Sequence, residues 1–374
     1  MEQLRTYDPS LVEAIAEKST SATYGDLTVT VKPIPDDDRD CVLDPRVRAT
    51  AERKASMFAQ RENKRGGMSL SDERYRPDKV TPDLTGSVVE QWEEIVPVGD
   101  THRIPVHLYR PESFEAGAPF LLYLHGGGFT AGDERIYRNR MRFIAEQSGA
   151  IVAFPEYRLA PEAPFPAAIE DAQAALAWAL DHAEELGLDP ERVMVAGDSA
   201  GGSLACAVVL QDVERIISSC YLVFPGADMS CVDELEDYTW SWDDYPVVEE
   251  DRELAFGRIA RIERSCHGTA EESPYVQGKT SLKDPLVSVA YATDEQLAAF
   301  PPTVVAVSEY DYLRVGAEYF ARRLAGQRVP VELVTYKGCD HGFFDLFGTE
   351  PQSEELCLAM AEKIRALARE REVA

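Results

Sequence analysis

The chain of 374 residues is 45% apolar and 28% charged, an ordinary composition for a globular protein. Its 38 basic residues against 66 acidic ones leave a formal charge of −28, which argues against nucleic acid and against anionic membrane surfaces as partners, because both need a basic footprint. No apolar run reaches the roughly 18–20 residues that span a bilayer, Met1–Ser10 carries no signal pattern, and the seven cysteines include no C-x-x-C pair or zinc-spaced Cys/His cluster; a cytoplasmic protein with reduced thiols, no membrane anchor and no metal is the expectation.

Residues 1–85 are charge-rich, with an acidic run at Asp36–Asp38 and a basic stretch from Arg46 to Arg65. Asp8-Pro9 reads as a helix start, with Val12, Ile15 and Ala16 on one face. A second helix is expected from Arg46 to Asn63, ended by Gly66-Gly67. From Val88 the pattern changes. Ile104–Tyr109 alternates like a strand, and Phe120–Leu124 and Ala150–Phe154 are continuous apolar runs suited to strands buried on both faces. An amphipathic helix is predicted over Phe165–Glu185. Then come strand Val193–Val195, helix Ala200–Val213 and strand Ser219–Phe224. Residues 228–285 break the alternation and read as an insertion, in which Trp240 and Trp242 either anchor the segment or line a pocket. Strand Thr303–Val307, helix Leu313–Ala325, strand Val331–Tyr336 and helix Glu354–Leu367 close the chain. Alternating strands and helices predict an α/β protein with a mostly parallel sheet and helices on both faces.

The sharpest motif is Gly197-Asp198-Ser199-Ala200-Gly201-Gly202, between an apolar strand and an Ala-rich helix. This is the G-x-S-x-G context that presents a nucleophilic serine at a helix N-terminus, where free N–H groups also favour a developing oxyanion. The second is His125-Gly126-Gly127-Gly128-Phe129, after a strand, whose glycines leave main-chain N–H groups free to converge on a charged oxygen. It lacks the Gly-Lys-Ser/Thr ending of a phosphate loop. His125 reads as a structural histidine orienting this loop. Of the six histidines, His341 is the best placed base, because it follows the last strand and so reaches the sheet edge that carries Ser199. Asp311, after Thr303–Val307, is the candidate acid, with Glu309 and Asp340 as rivals. The chain order Ser, Asp, His is that of α/β hydrolases.

With these residues, and with Tyr157-Arg158-Leu159-Ala160-Pro161-Glu162, Asp311-Tyr312-Leu313-Arg314 and Asp340-His341-Gly342-Phe343, the chain resembles the hormone-sensitive-lipase-like carboxylesterase branch of the α/β-hydrolase superfamily over about residues 86–227 and 286–372. The resemblance implies an α/β-hydrolase fold: a mostly parallel eight-stranded sheet flanked by helices, with a helical cap. It implies that the core comprises 86–227 and 286–374, that the cap insertion is 228–285, and that residues 1–85 contribute to the cap. It assigns Ser199 as nucleophile, His341 as base, Asp311 as orienting acid, and the N–H groups of Gly127, Gly128 and Ala200 as oxyanion donors.

The expected activity is hydrolysis of short-to-medium acyl esters, acetyl esters among them, through an acyl-enzyme. No cofactor is expected. The expected partner is a small-molecule ester, and a homo-oligomer is compatible with the sequence. Phe129, Trp240, Trp242 and Tyr245 are candidates for the substrate pocket. Two alternatives stand beside this one. One is a non-catalytic small-molecule receptor on the same fold, as in the plant gibberellin receptors, which resemble this branch but lack the base. The other is a lipase acting at a membrane interface.

Overall fold

The structure, a computed structural model, describes residues 4–65, 69–76, 79–230 and 238–369. Ten strands form one sheet: β1 (Thr20–Tyr24), β2 (Leu27–Lys32), β3 (Val89–Val98), β4 (His102–Pro111), β5 (Ala118–Leu124), β6 (Ile151–Pro155), β7 (Leu188–Asp198), β8 (Ile217–Val223), β9 (Thr303–Tyr310) and β10 (Val331–Asp340). Their spatial order is β1-β2-β10-β9-β8-β7-β5-β6-β4-β3. The stretch from β2 to β6 in that order is parallel. Antiparallel pairs close both margins, β1 on β2 at one and β4 and β3 at the other.

The apolar runs make the centre of this sheet because they bury both faces. Every residue of β5 and β6 is buried. The strand period of two sends Phe120, Leu122 and Leu124 into one half of the core and Leu121 and Tyr123 into the other. Helices Ala167–Asp181, Ala200–Leu210 and Leu313–Gly326 cover the first half. Helices Glu134–Ser148 and Pro351–Arg369 cover the second.

The expected eight strands are corrected to ten. The two additions come from the N-terminal region, where Thr20–Tyr24 and Leu27–Lys32 fold into a hairpin around Gly25-Asp26. Gly25 takes the positive φ (63°) that the two-residue turn requires. The hairpin lays β2 in parallel along β10, so the last strand is no longer the margin of the sheet. Residues 1–85 therefore divide. Helix Ser10–Lys18 packs on helix Pro351–Arg369 and the hairpin joins the sheet, whereas helix Pro45–Arg65 packs on helix Glu249–Cys266 of the insertion. Helices Glu134–Ser148 and Glu249–Cys266 are additions to the sequence-based elements.

Topology fixes where chemistry can occur. The chain steps from β5 to β6 on one side, then crosses back to place β7 on the other side of β5. Loops after β5 and β7 therefore diverge at a switch point, the place where parallel α/β sheets open a crevice. The loops after β9 and β10 rise from the same C-terminal edge.

Candidate active site

The serine turn is built by close packing. Strand β7 runs straight into helix Ala200–Leu210, and Ser199 between them is held at φ 53° and ψ −120°. That conformation is strained for a residue with a side chain, and such strain concentrates at functional positions. The turn is possible because Gly201 lets the helix touch strand β5: a Cβ there would lie 2.0 Å from the Leu124 carbonyl oxygen. Ser199 N–H donates to Val223 O at 2.9 Å, which fixes the turn against β8.

Ser199 Oγ lies 3.1 Å from His341 Nε2, and His341 Nδ1 lies 2.7 Å from Asp311 Oδ2. Asp311 is fully buried, and its second oxygen accepts the Leu313 N–H at 3.0 Å. The carboxylate holds the proton of the imidazole on Nδ1, which leaves the Nε2 lone pair facing the serine hydroxyl. The three residues follow β7, β9 and β10 and meet above one edge.

The rival acids are engaged elsewhere. Glu309 pairs with Lys337 and accepts the Gly338 N–H at 2.7 Å. Asp340 pairs with Arg258. Burial opposes ionisation of Asp340, but Arg258 and Lys54 outweigh it and hold the carboxyl below its ordinary range. His125 is buried, stacks on Tyr157 with ring centroids 4.1 Å apart, and donates from Nδ1 to Gly126 O at 2.8 Å. Burial pushes its imidazole below the usual range, so it stays neutral inside the loop.

The glycine loop folds back tightly. Gly127, Gly128 and Phe129 all have positive φ, and a Cβ on Gly127 would lie 2.1 Å from the Ala131 carbonyl oxygen. Thr130 and Ala131 both donate to Gly127 O. Among the described residues no protein acceptor takes the N–H of Gly127 or Gly128. Ala200 is the first residue of its helix, where N–H groups lack intrahelical partners.

Asp198 is a residue whose role the motif alone does not disclose. Its Oδ1 accepts from Tyr123 Oη at 2.8 Å and from the Gly126 N–H at 3.0 Å, and its Oδ2 accepts from Tyr137 Oη at 2.9 Å. Burial, with repulsion from Asp345, raises its carboxyl above the ordinary range. Arg74, in the N-terminal region, also reaches this loop: it donates to Thr130 O at 2.8 Å and Ala160 O at 2.9 Å, and forms a two-pronged pair with Glu162. The signal for both lies in tertiary contact, not in local spacing.

The aromatic candidates separate. Phe129 is 3% exposed and lies face to face on Tyr275, ring centroids 3.8 Å apart. Trp240 meets Trp242 edge-on at 4.9 Å, and Trp242 packs on Phe256 at 4.8 Å. Tyr245 packs as a support. It is buried, accepts from Trp240 Nε1 at 2.9 Å and donates its hydroxyl to the Asp311 carbonyl at 2.9 Å. A ring so enclosed offers no face to a substrate.

A family model described as alpha/beta hydrolase fold matches residues 121–345. The chain is 34% identical to Esterase LipI of Mycobacterium tuberculosis over 265 residues, 69% of this chain and 76% of the relative. It is 29% identical to Ethyl acetate hydrolase of Pseudomonas putida over 285 residues, 71% of this chain and 79% of the relative. A solved esterase from the hyperthermophilic archaeon Pyrobaculum calidifontis superposes with a TM-score of 0.68 at 28% identity, over 87% of this chain and 99% of that one.

Proposed function

Because the chain belongs to the α/β-hydrolase family, in its hormone-sensitive-lipase-like branch, and is a carboxylesterase, we propose that it works through Ser199 as nucleophile, His341 as base and Asp311 as orienting acid. The observation that carries this reading is the unbroken chain from Ser199 Oγ through His341 to Asp311, at 3.1 and 2.7 Å.

In the first half-reaction, Ser199 Oγ attacks the acyl carbonyl while His341 Nε2 takes the hydroxyl proton. The carbonyl oxygen becomes an oxyanion beside the N–H groups of Gly127, Gly128 and Ala200; donors so aimed are each worth about 3 kcal/mol in the transition state. As the tetrahedral intermediate collapses, His341 gives its proton to the departing alcohol. Water repeats the sequence on the acyl-enzyme and releases the acid. Asp311, sealed from solvent, compensates the imidazolium that forms at each step.

The substrate side rests on two supports. The similarity to a relative named for ethyl acetate favours a short acyl group. The packing of helix Pro45–Arg65 on helix Glu249–Cys266 favours a cap assembled from both segments, restricting bulk above Ser199. No described helix is long and apolar enough to cross a membrane. The small-molecule ester is the partner this reading requires.

A p-nitrophenyl ester series from acetyl to dodecanoyl tests the proposal. kcat/KM should peak at two to six acyl carbons and be equal for dispersed and emulsified ester. A maximum at long chains with a jump at the emulsion interface would favour a lipase. Absence of turnover on every ester would restore the receptor reading.

A further inference from the structure

The geometry points to a second task for the insertion: Tyr245 and Arg258 act as positioning residues that hold the Asp311 and His341 loops in register. This inference rests on the assignment of those two residues to the triad. Each contact goes to a catalytic residue's own backbone. Tyr245 Oη donates to the Asp311 carbonyl at 2.9 Å, and Arg258 Nη2 donates to the His341 carbonyl at 3.2 Å. Arg258 also pairs through Nε with Asp340, the residue immediately before the base. Both side chains are enclosed, Tyr245 at 1% exposure and Arg258 with 11% of its side chain accessible.

The base loop needs such a hold. The pairing of β10 with β9 is regular from Val331 to Tyr336, then slips before Asp340 meets Tyr310. The ladder is therefore interrupted over residues 337–339 and resumes only at Asp340, directly ahead of His341. In that gap Gly338 takes a positive φ of 71° and is held by Glu309, and at its end Asp340 is held by Arg258. A guanidinium that bridges a carboxylate and the next carbonyl fixes both position and direction, since its donors sit in a rigid fork.

The hold has its own anchor. Tyr245 and Arg258 lie in one stretch of the insertion that is tied to the N-terminal region. Val248 N–H donates to Cys41 O at 2.8 Å, Leu43 N–H donates to Asp251 Oδ2 at 2.9 Å, and Arg48 pairs with Asp251. A seated insertion thus steadies the acid and the base together.

The test uses the full-length enzyme with p-nitrophenyl acetate and burst kinetics. Arg258→Met should lower the acylation rate and kcat by roughly 10–100-fold while KM changes less than about twofold, because small misplacements of reacting groups carry such factors. Arg258→Lys, which keeps charge but loses the fork, should recover part of the rate. Tyr245→Phe removes the hydrogen bond to Asp311 together with the one accepted from Trp240, and should cost about 3–10-fold in kcat. It also serves where Arg258→Met fails to fold. Ser199→Ala and His341→Ala are run alongside. If these two are inactive while Tyr245→Phe and any folded Arg258 variant keep full kcat, the positioning inference is overturned and the triad stands. If Ser199→Ala or His341→Ala retains full turnover, the triad assignment itself fails.

Discussion

Asp198 Oδ1 accepts the Gly126 N–H at 3.0 Å, so the residue just before the proposed nucleophile ties the serine turn to the glycine loop that faces it. The same carboxylate takes hydroxyl donors from Tyr123 and Tyr137. One buried side chain therefore ties the turn of the proposed nucleophile to the loop that carries the proposed oxyanion donors.

Asp198→Asn tests that coupling. The amide replaces one acceptor with a donor, where three donors already converge. One of them is left facing another donor in a buried site, which costs about 1–3 kcal/mol. We expect a lower melting temperature and a fall in kcat on the order of tenfold. A variant with unchanged melting temperature and kcat would show that the loop is held by other contacts.

Gly127→Ala tests the oxyanion loop by geometry. The added methyl would lie 2.1 Å from the Ala131 carbonyl oxygen, on a backbone at φ +126° that a side chain disfavours. The loop must shift, and its N–H groups with it. Loss of one such donor lowers kcat by about 10²–10³-fold. KM for a short ester should stay within a few-fold. Retention of wild-type kcat would exclude the loop as an oxyanion site.

Acid should loosen the docking of the N-terminal segment on this loop. Glu162 has its carboxyl lowered from 4.5 to about 2, chiefly by its hydrogen bonds from Arg74. A depressed carboxylate contributes its share of stability above its unfolded value, and that share is lost as pH falls through the folded one. The window is therefore pH 4.5 down to about 2. Hydrogen-exchange protection at residues 69–76, taken relative to the intrinsic rate at each pH, should fall across that window in the wild type and be flat in Glu162→Gln. Equal behaviour of the two proteins would remove the pair from the account.

The strands were largely legible in the sequence, for a physical reason. Strands such as Phe120–Leu124 are buried on both faces, so they appear as unbroken apolar runs. The residues proposed to react stand directly after such strands. The missed elements lack that signature. Thr20–Tyr24 is exposed along its whole length, and its partner Leu27–Lys32 buries only Thr30. Helix Glu249–Cys266 buries only Asp251, Ala255 and Ile259, too thin a stripe to announce a helix. For Tyr245, aromatic rings in an insertion suggest a pocket lining, and local sequence offers nothing more specific. Its hydroxyl instead reaches 66 positions along the chain to Asp311, a contact that no local spacing encodes.

The most direct measurement of the central claim is the site of covalent capture. The enzyme is treated with a serine-directed phosphonate, digested, and mapped by mass spectrometry, with Ser199→Ala and His341→Ala treated in parallel. The account predicts a single adduct on Ser199 in the wild type, none in Ser199→Ala, and adduct formation slowed by orders of magnitude in His341→Ala. An adduct on another residue, or labelling of His341→Ala at the wild-type rate, would contradict it.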